Sequence, residues 1–199
     1  MAWIERISPE SAEGNLAELY GQVAGADGHV DHILQAHSLR PRTLAAHLAL
    51  YKAVLHARPN DLSPRERELV GVCVSQLNGC EYCVEHHTAG LARHVGDSSL
   101  ATQLVQAALA DECKDPLTPR EWAMCQYTRK LTLTPAELQE QDLQPLRAAG
   151  LSDAAILDLN QIVAYFAYAN RTVLGLGVSH IGEPLGLHPD EDRDDFRHA

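Results

Sequence analysis

In NGCEYCVEHH, residues 78 to 87, two cysteines and two histidines fall within eight positions. Three kinds of chemistry fit them. Cys80 and Cys83 with His86 or His87 offer the soft and borderline ligands that zinc accepts, although a closed structural site needs a fourth ligand and no second C-x-x-C or any H-x3-H pair occurs. A structural disulfide would close so short a loop that it would restrict the unfolded chain little. For redox catalysis the reactive form is the thiolate, and a helix N-terminus favours it through unpaired N–H groups and the helix dipole.

The third reading gains a proton relay from spacing. Cys83 and His87 are four residues apart and share one face of a helix, where the imidazole can take the thiol proton. Glu68 precedes Cys80 by 12 residues, and a turn at Asn78-Gly79 folds it back toward the pair. Haem attachment is excluded because Val84, not His, follows Cys83. A thioredoxin fold is disfavoured because no strand precedes the cysteines.

The elements that carry these residues are predicted to be helices throughout. SPRE at Ser63, TPRE at Thr118 and TPAE at Thr134 each combine a capping hydroxyl, a Pro at the first helical position and a Glu three residues after the cap. Helical apolar spacing runs through LAAHLALYKAVLHA from Leu44, ELVGVCVSQL from Glu68, LATQLVQAAL from Leu100 and AILDLNQIVAYFAYANRTVLGL from Ala155. VGVCV, at Val70 to Val74, resembles a buried strand in isolation but lies one turn inside a capped helix. Asn78-Gly79 should interrupt the helix that begins at Ser63, Cys80 should open the next, and Gly96 should end it. The fold class expected is all-α.

The 199 residues, 45% hydrophobic, are enough for one ample core, and a single domain is expected over 1–187. The acidic, nearly apolar-free tail at 188–199 carries no chemistry. A net charge of -11 argues against a nucleic-acid partner, which needs clustered Lys and Arg. The N-terminal MAWIERISPESAEG lacks the layout of a secretory signal, and no apolar run is long enough to span a bilayer. A cytoplasmic protein without a membrane partner is expected. Five scattered cysteines there point to catalysis or metal binding rather than to a disulfide framework.

The spacing E-x11-C-x-x-C-x3-H, read as Glu68, Cys80, Cys83 and His87, resembles the AhpD-like alkylhydroperoxidase group of the carboxymuconolactone decarboxylase superfamily. RERELVGVCVSQLNGCEYCVEHH and LNQIVAYFAYANRTVLGLG resemble its peroxidase-related branch, and the likeness covers most of residues 1 to 185. It implies an AhpD-like helical bundle assembled as a homo-oligomer, a trimer or a hexamer. It further implies that Cys83 attacks a hydroperoxide and becomes a sulfenic acid, that Cys80 resolves it, and that His87 and Glu68 relay the proton. A dithiol reductant such as a lipoylated protein would recycle the pair, without cofactor or metal. The chemistry is consistent with the ready condensation of a sulfenic acid with a neighbouring thiol. Tyr82 stands where the characterised alkylhydroperoxidases carry a His; titrating near pH 10, it relays or donates a hydrogen bond but is no base at neutral pH.

Other candidates have plainer expectations. His86 is expected to be solvated or at a subunit contact, Cys73 and Cys125 buried and inert, and Cys113 an exposed loop thiol. Glu66 serves the capping box, which leaves Glu68 as the relay acid. Tyr165, Phe166 and Tyr168 are core or subunit-contact side chains, or the lining of an apolar peroxide pocket. Two competing functions keep the same residues. A non-enzymatic redox or zinc sensor would hold stoichiometric metal or show no turnover with any dithiol, and a purely structural oligomer would have a pair of ordinary thiol pKa.

Overall fold

The computed structural model describes residues 2–25, 28–56, 58–110, 112 and 115–185, and these contain helices and no strand. The chain divides into two compact units, one of residues 1–57 and 171–199 and one of residues 58–170. Cys113 and the tail at 188–199 lie outside the described residues.

In the first unit, α1 (Gly14–Val23), α2 (His32–Ala36) and α3 (Pro41–Leu55) bury Leu16, Leu19, Tyr20, Val23, Val30, Leu34, Leu44 and Leu48 against one another. The N-terminal strip is tied down by polar contacts: Tyr20 Oη donates to the Ile7 carbonyl at 2.9 Å, and the Ile7 N–H donates to Ser38 Oγ at 2.9 Å. His37, His47 and His56 are buried here, the rings of His37 and His47 with centroids 4.7 Å apart.

The second unit is organised around α4 (Pro64–Leu77), in which every residue from Glu66 to Ser75 is buried. A helix covered on all sides must be the centre of its bundle. It packs against α5 (Glu81–Val95), α6 (Ser98–Ala108) and α7 (Pro119–Leu133), and Leu69, Val72, Leu91, Leu104 and Cys125 meet in the shared core. α8 (Gln144–Ala148) lies on α7, and α9 (Asp153–Leu176) contributes its first 18 residues to this unit.

Both expected capping boxes at α4 and α7 form. Ser63 Oγ accepts from Glu66 N–H at 3.2 Å while the Ser63 N–H donates to Glu66 Oε2 at 2.8 Å; Thr118 and Glu121 repeat this at 3.2 and 2.9 Å. The two boxes also clasp each other. Arg65 Nε donates to Glu121 Oε1 at 2.7 Å, and Arg120 Nε donates to Glu66 Oε1 at 2.7 Å. Each Glu thus closes its own helix start and anchors the other helix, which fixes α4 and α7 in register.

The third box does not form. Thr134 is the C-cap of α7, with its N–H on the Lys130 carbonyl at 2.9 Å and its hydroxyl reaching the same oxygen at 3.4 Å, and only a 3-10 turn, Pro135–Glu137, follows. Its hydroxyl is spent on the helix before it.

The break between α4 and α5 follows the sequence expectation. Gly79 takes the left-handed conformation at φ 68°, the Cys80 N–H returns to the Ser75 carbonyl at 2.9 Å, and α5 begins one residue later. Gly96, at φ 71°, ends α5. No helix among the described residues is long and apolar enough to cross a membrane.

Candidate active site

The tight α4–α5 hairpin determines which side chains meet. Glu68, on the buried face of α4, accepts a hydrogen bond from His87 Nδ1 on α5, Oε2 to Nδ1 2.8 Å. A carboxylate on Nδ1–H fixes the tautomer and leaves Nε2 to exchange a proton. Two further contacts confine the pair. Gly90, one turn past Glu68's partner, has no side chain because a Cβ there would lie 2.9 Å from the Glu68 carboxyl carbon. The Phe166 ring of α9 stands edge-on to the His87 ring, centroids 4.6 Å apart, and itself fits only because residue 71 is glycine.

The cysteines lie at the start of α5, Cys80 as its N-cap and Cys83 in its first turn, both reduced and 0% and 3% exposed. The hydrogen bond from the Cys83 thiol holds Cys80 below the ordinary thiol range; burial opposes this, and the Cys83 N–H and the Asn170 side chain add to it. Cys83 moves the other way, well above that range, because it donates to Cys80 and because it is buried. A pair that opens a helix is therefore not uniformly acidified, and the first negative charge resides on Cys80. The helix-terminus argument holds for the capping cysteine alone.

Tyr82 is buried and stacked on His86, ring centroids 4.6 Å apart and planes at 27°. His86 is thus a packed aromatic partner and not a solvated residue. Cys73 and Cys125 are buried in the helix packing, as expected of inert thiols, and Glu66 performs its capping duty. Phe166 and Tyr165 are buried while Tyr168 is 42% exposed.

A model of the carboxymuconolactone decarboxylase family matches residues 41–130, which contain Glu68, both site cysteines and His87. A peroxidase-related protein from Silicibacter sp. TM1040 is 30% identical, with 74% of each chain covered and a TM-score of 0.67. The chain is an AhpD-like member of the carboxymuconolactone decarboxylase superfamily. Its likeness to a peroxidase-related protein with an alkylhydroperoxidase AhpD core, from Ralstonia eutropha JMP134, is 26% identity over 89% of this chain and 91% of that one, TM-score 0.79. The Bacillus subtilis protein YdfG is 26% identical over 61% of this chain and 80% of its own. The debrominase Bmp8, at 14% identity and a TM-score of 0.66, shares the fold.

One polar residue of this AhpD-like chain escaped the sequence reading. Asn170 of α9 is 0% exposed; its Nδ2 donates to Ser75 Oγ at 3.1 Å, and its Oδ1 accepts from Asn78 Nδ2 at 2.9 Å. Ser75 Oγ in turn donates to the Gly71 carbonyl at 2.8 Å. Asn170 also hydrogen-bonds the thiols and lowers both. It therefore joins the end of α4, the turn before Cys80 and the cysteine pair in a single buried network. A lone Asn in the apolar run AYFAYAN was its signal, since a buried amide must find partners.

Proposed function

We propose that the protein is a thiol-dependent peroxidase that reduces an organic hydroperoxide or hydrogen peroxide through the Cys80–Cys83 dithiol/disulfide cycle. The observation that carries the reading is the 2.8 Å Glu68–His87 bond on the hairpin whose second helix opens with two hydrogen-bonded thiols. Because Cys83 is the thiol pushed up, it needs a base to attack, and His87 lies one helical turn away on the same helix. In this reading His87 takes the Cys83 proton, the Cys83 sulfur attacks the distal peroxide oxygen, the O–O bond breaks, and the proton passes to the departing alkoxide. Cys83 is then a sulfenic acid and one ROH has left. The low-pKa Cys80 sulfur displaces its oxygen as water and forms the disulfide. The balance is two thiols and ROOH giving a disulfide, ROH and H2O. Glu68 holds the imidazole and offsets its charge, Asn170 positions the thiols, and Tyr82 acts through its stack on His86 rather than as a base.

A dithiol, possessed by a lipoylated protein, returns the pair to the reduced state, and the protein works in the cytoplasm as a homo-oligomer, a trimer or hexamer. Support for assembly comes from α9, where Leu157, Ala164 and Tyr168 are exposed along one stripe at helical spacing.

The test is consumption of tert-butyl hydroperoxide against hydrogen peroxide by metal-free protein with a dithiol reductant, beside Cys83→Ser and Cys80→Ser. Turnover is expected to vanish in both, with a trappable sulfenic acid on Cys83 only when Cys80 is replaced. A sulfenic acid on Cys80 in the Cys83→Ser protein would reverse the two roles. Wild-type consumption no faster than that of Cys83→Ser would end the peroxidase reading.

A further inference from the structure

The first unit holds a group of side chains that the peroxidase reading does not use. His29, Asp31 and Glu183 bring an imidazole nitrogen and two carboxylate oxygens within 4.8 Å of one another. They come from two distant stretches of chain, the connection between α1 and α2 and the segment after α9. The Glu183 side chain is 0% exposed, Asp31 13% and His29 19%. The three side chains are largely withdrawn from water, a setting in which oxygen and imidazole ligands hold a cation strongly.

The distances suit a small divalent ion. Ligands of a tetrahedral ion at about 2.0–2.2 Å stand roughly 3.3–3.5 Å apart. His29 Nε2 is 3.5 Å from Glu183 Oε2 and 3.9 Å from Asp31 Oδ1, and no two of the three ligand atoms are more than 4.8 Å apart, so closure onto an ion draws the widest pair together by at most roughly 1.5 Å. The supporting contacts are also those of a ligand site. The backbone N–H of His32 donates to Glu183 Oε2 at 2.7 Å and orients that carboxylate, and His32 Nδ1–H is itself held by the Ser179 carbonyl at 2.6 Å.

We propose that His29, Asp31 and Glu183 form a three-ligand site for a divalent first-row transition ion that ties the α1–α2 connection to the segment after α9. One imidazole with two carboxylates suits zinc among the common biological ions, with the remaining position left to water; a calcium site would have oxygens only.

The test uses the full chain, stripped with chelator and kept reduced, titrated with Zn²⁺ in a calorimeter and with Co²⁺ in a spectrophotometer. Saturable binding of one ion per chain is expected, and the Co²⁺ protein should show weak d–d bands without a thiolate-to-metal charge-transfer band. Both should persist in a Cys80→Ser/Cys83→Ser double variant. His29→Ala and Glu183→Gln should each weaken Zn²⁺ binding at least tenfold, and Zn²⁺ should raise Tm in the wild type but not in Glu183→Gln. Glu183→Gln keeps the side-chain shape; should it fail to fold by circular dichroism, Asp31→Asn carries the same expectation. The proposal is overturned if Zn²⁺ binding does not saturate. It is equally overturned by charge-transfer bands that vanish with the cysteines, or by affinity unchanged in the ligand variants.

Discussion

Two histidines, the buried His47 of α3 and the half-buried His87 of α5, are set in opposite surroundings. His47 faces another imidazole, His37, whose Nδ1–H is already given to the Ile33 carbonyl at 2.8 Å. Burial and that neighbour drive His47 down to about 3, so it is neutral wherever the protein is folded at ordinary pH. His87 faces the Glu68 carboxylate at 2.8 Å, the arrangement that lets a ring gain a proton without leaving an uncompensated charge. The same side chain is packing material in one unit and, in the proposed peroxidase cycle, a proton carrier in the other, and the partner decides which.

The largest effect expected from breaking this contrast is at His87. His87→Ala should lower kcat/KM for peroxide by about 10²- to 10⁴-fold, the worth of a positioned acid–base group, measured in the coupled dithiol assay. Gly90→Ala reaches the same interaction from behind. Its Cβ would come within 2.9 Å of the Glu68 carboxyl, so Glu68 must swing from His87, and activity should fall by about 10²-fold as for an ångström of misplacement. Ala is the better helix former, so a loss of activity without a loss of Tm would isolate the positioning effect.

His47 is tested through pH. Its proton is bound near 6.5 in the unfolded chain but only near 3 in the folded one, so between those values the unfolded state holds more protons. Its contribution to stability is complete above about 6.5 and is lost as pH falls toward 3, by at most about 1.4 kcal/mol per pH unit. Urea unfolding from pH 7 to 4 should show this slope, and His47→Phe should flatten it. The smallest effect belongs to His86, the neighbour of His87 in sequence. His86→Phe keeps the stack on Tyr82, so stability should move by less than about 1.5 kcal/mol and peroxide turnover should persist; a collapse of turnover would make His86 a second proton carrier.

What the sequence made legible was whatever depends on neighbours along the chain. Ser63 and Thr118 read correctly because a capping box is closed within four residues. The meeting of Glu68 and His87 was legible because helical spacing and one Gly turn suffice to bring them together. Thr134 misled because its hydroxyl had a competing use four residues back, on the Lys130 carbonyl in the last turn of α7. The division of charge between Cys80 and Cys83 was out of reach, since it depends on which thiol donates and on burial. Asn170 and Phe166 act on the site from another helix, and nothing local aims them at it. Gly90 carried a usable clue, since a glycine within HHTAGLARHV costs helix stability and implies close approach by something else.

The near-complete enclosure of Cys80 and Cys83 has a kinetic consequence. In the proposed cycle a small peroxide needs only a brief parting of side chains to reach a sulfur, whereas a reductant borne on another protein would need the start of α5 to breathe much further. Oxidation and re-reduction then sample different rungs of the same ladder of local openings, and each additional 1.4 kcal/mol of opening free energy makes the reductive arm about tenfold slower. Under steady peroxide the molecules would accumulate as disulfide, and turnover would follow the rate at which the α5 start frays rather than the chemistry of the O–O bond.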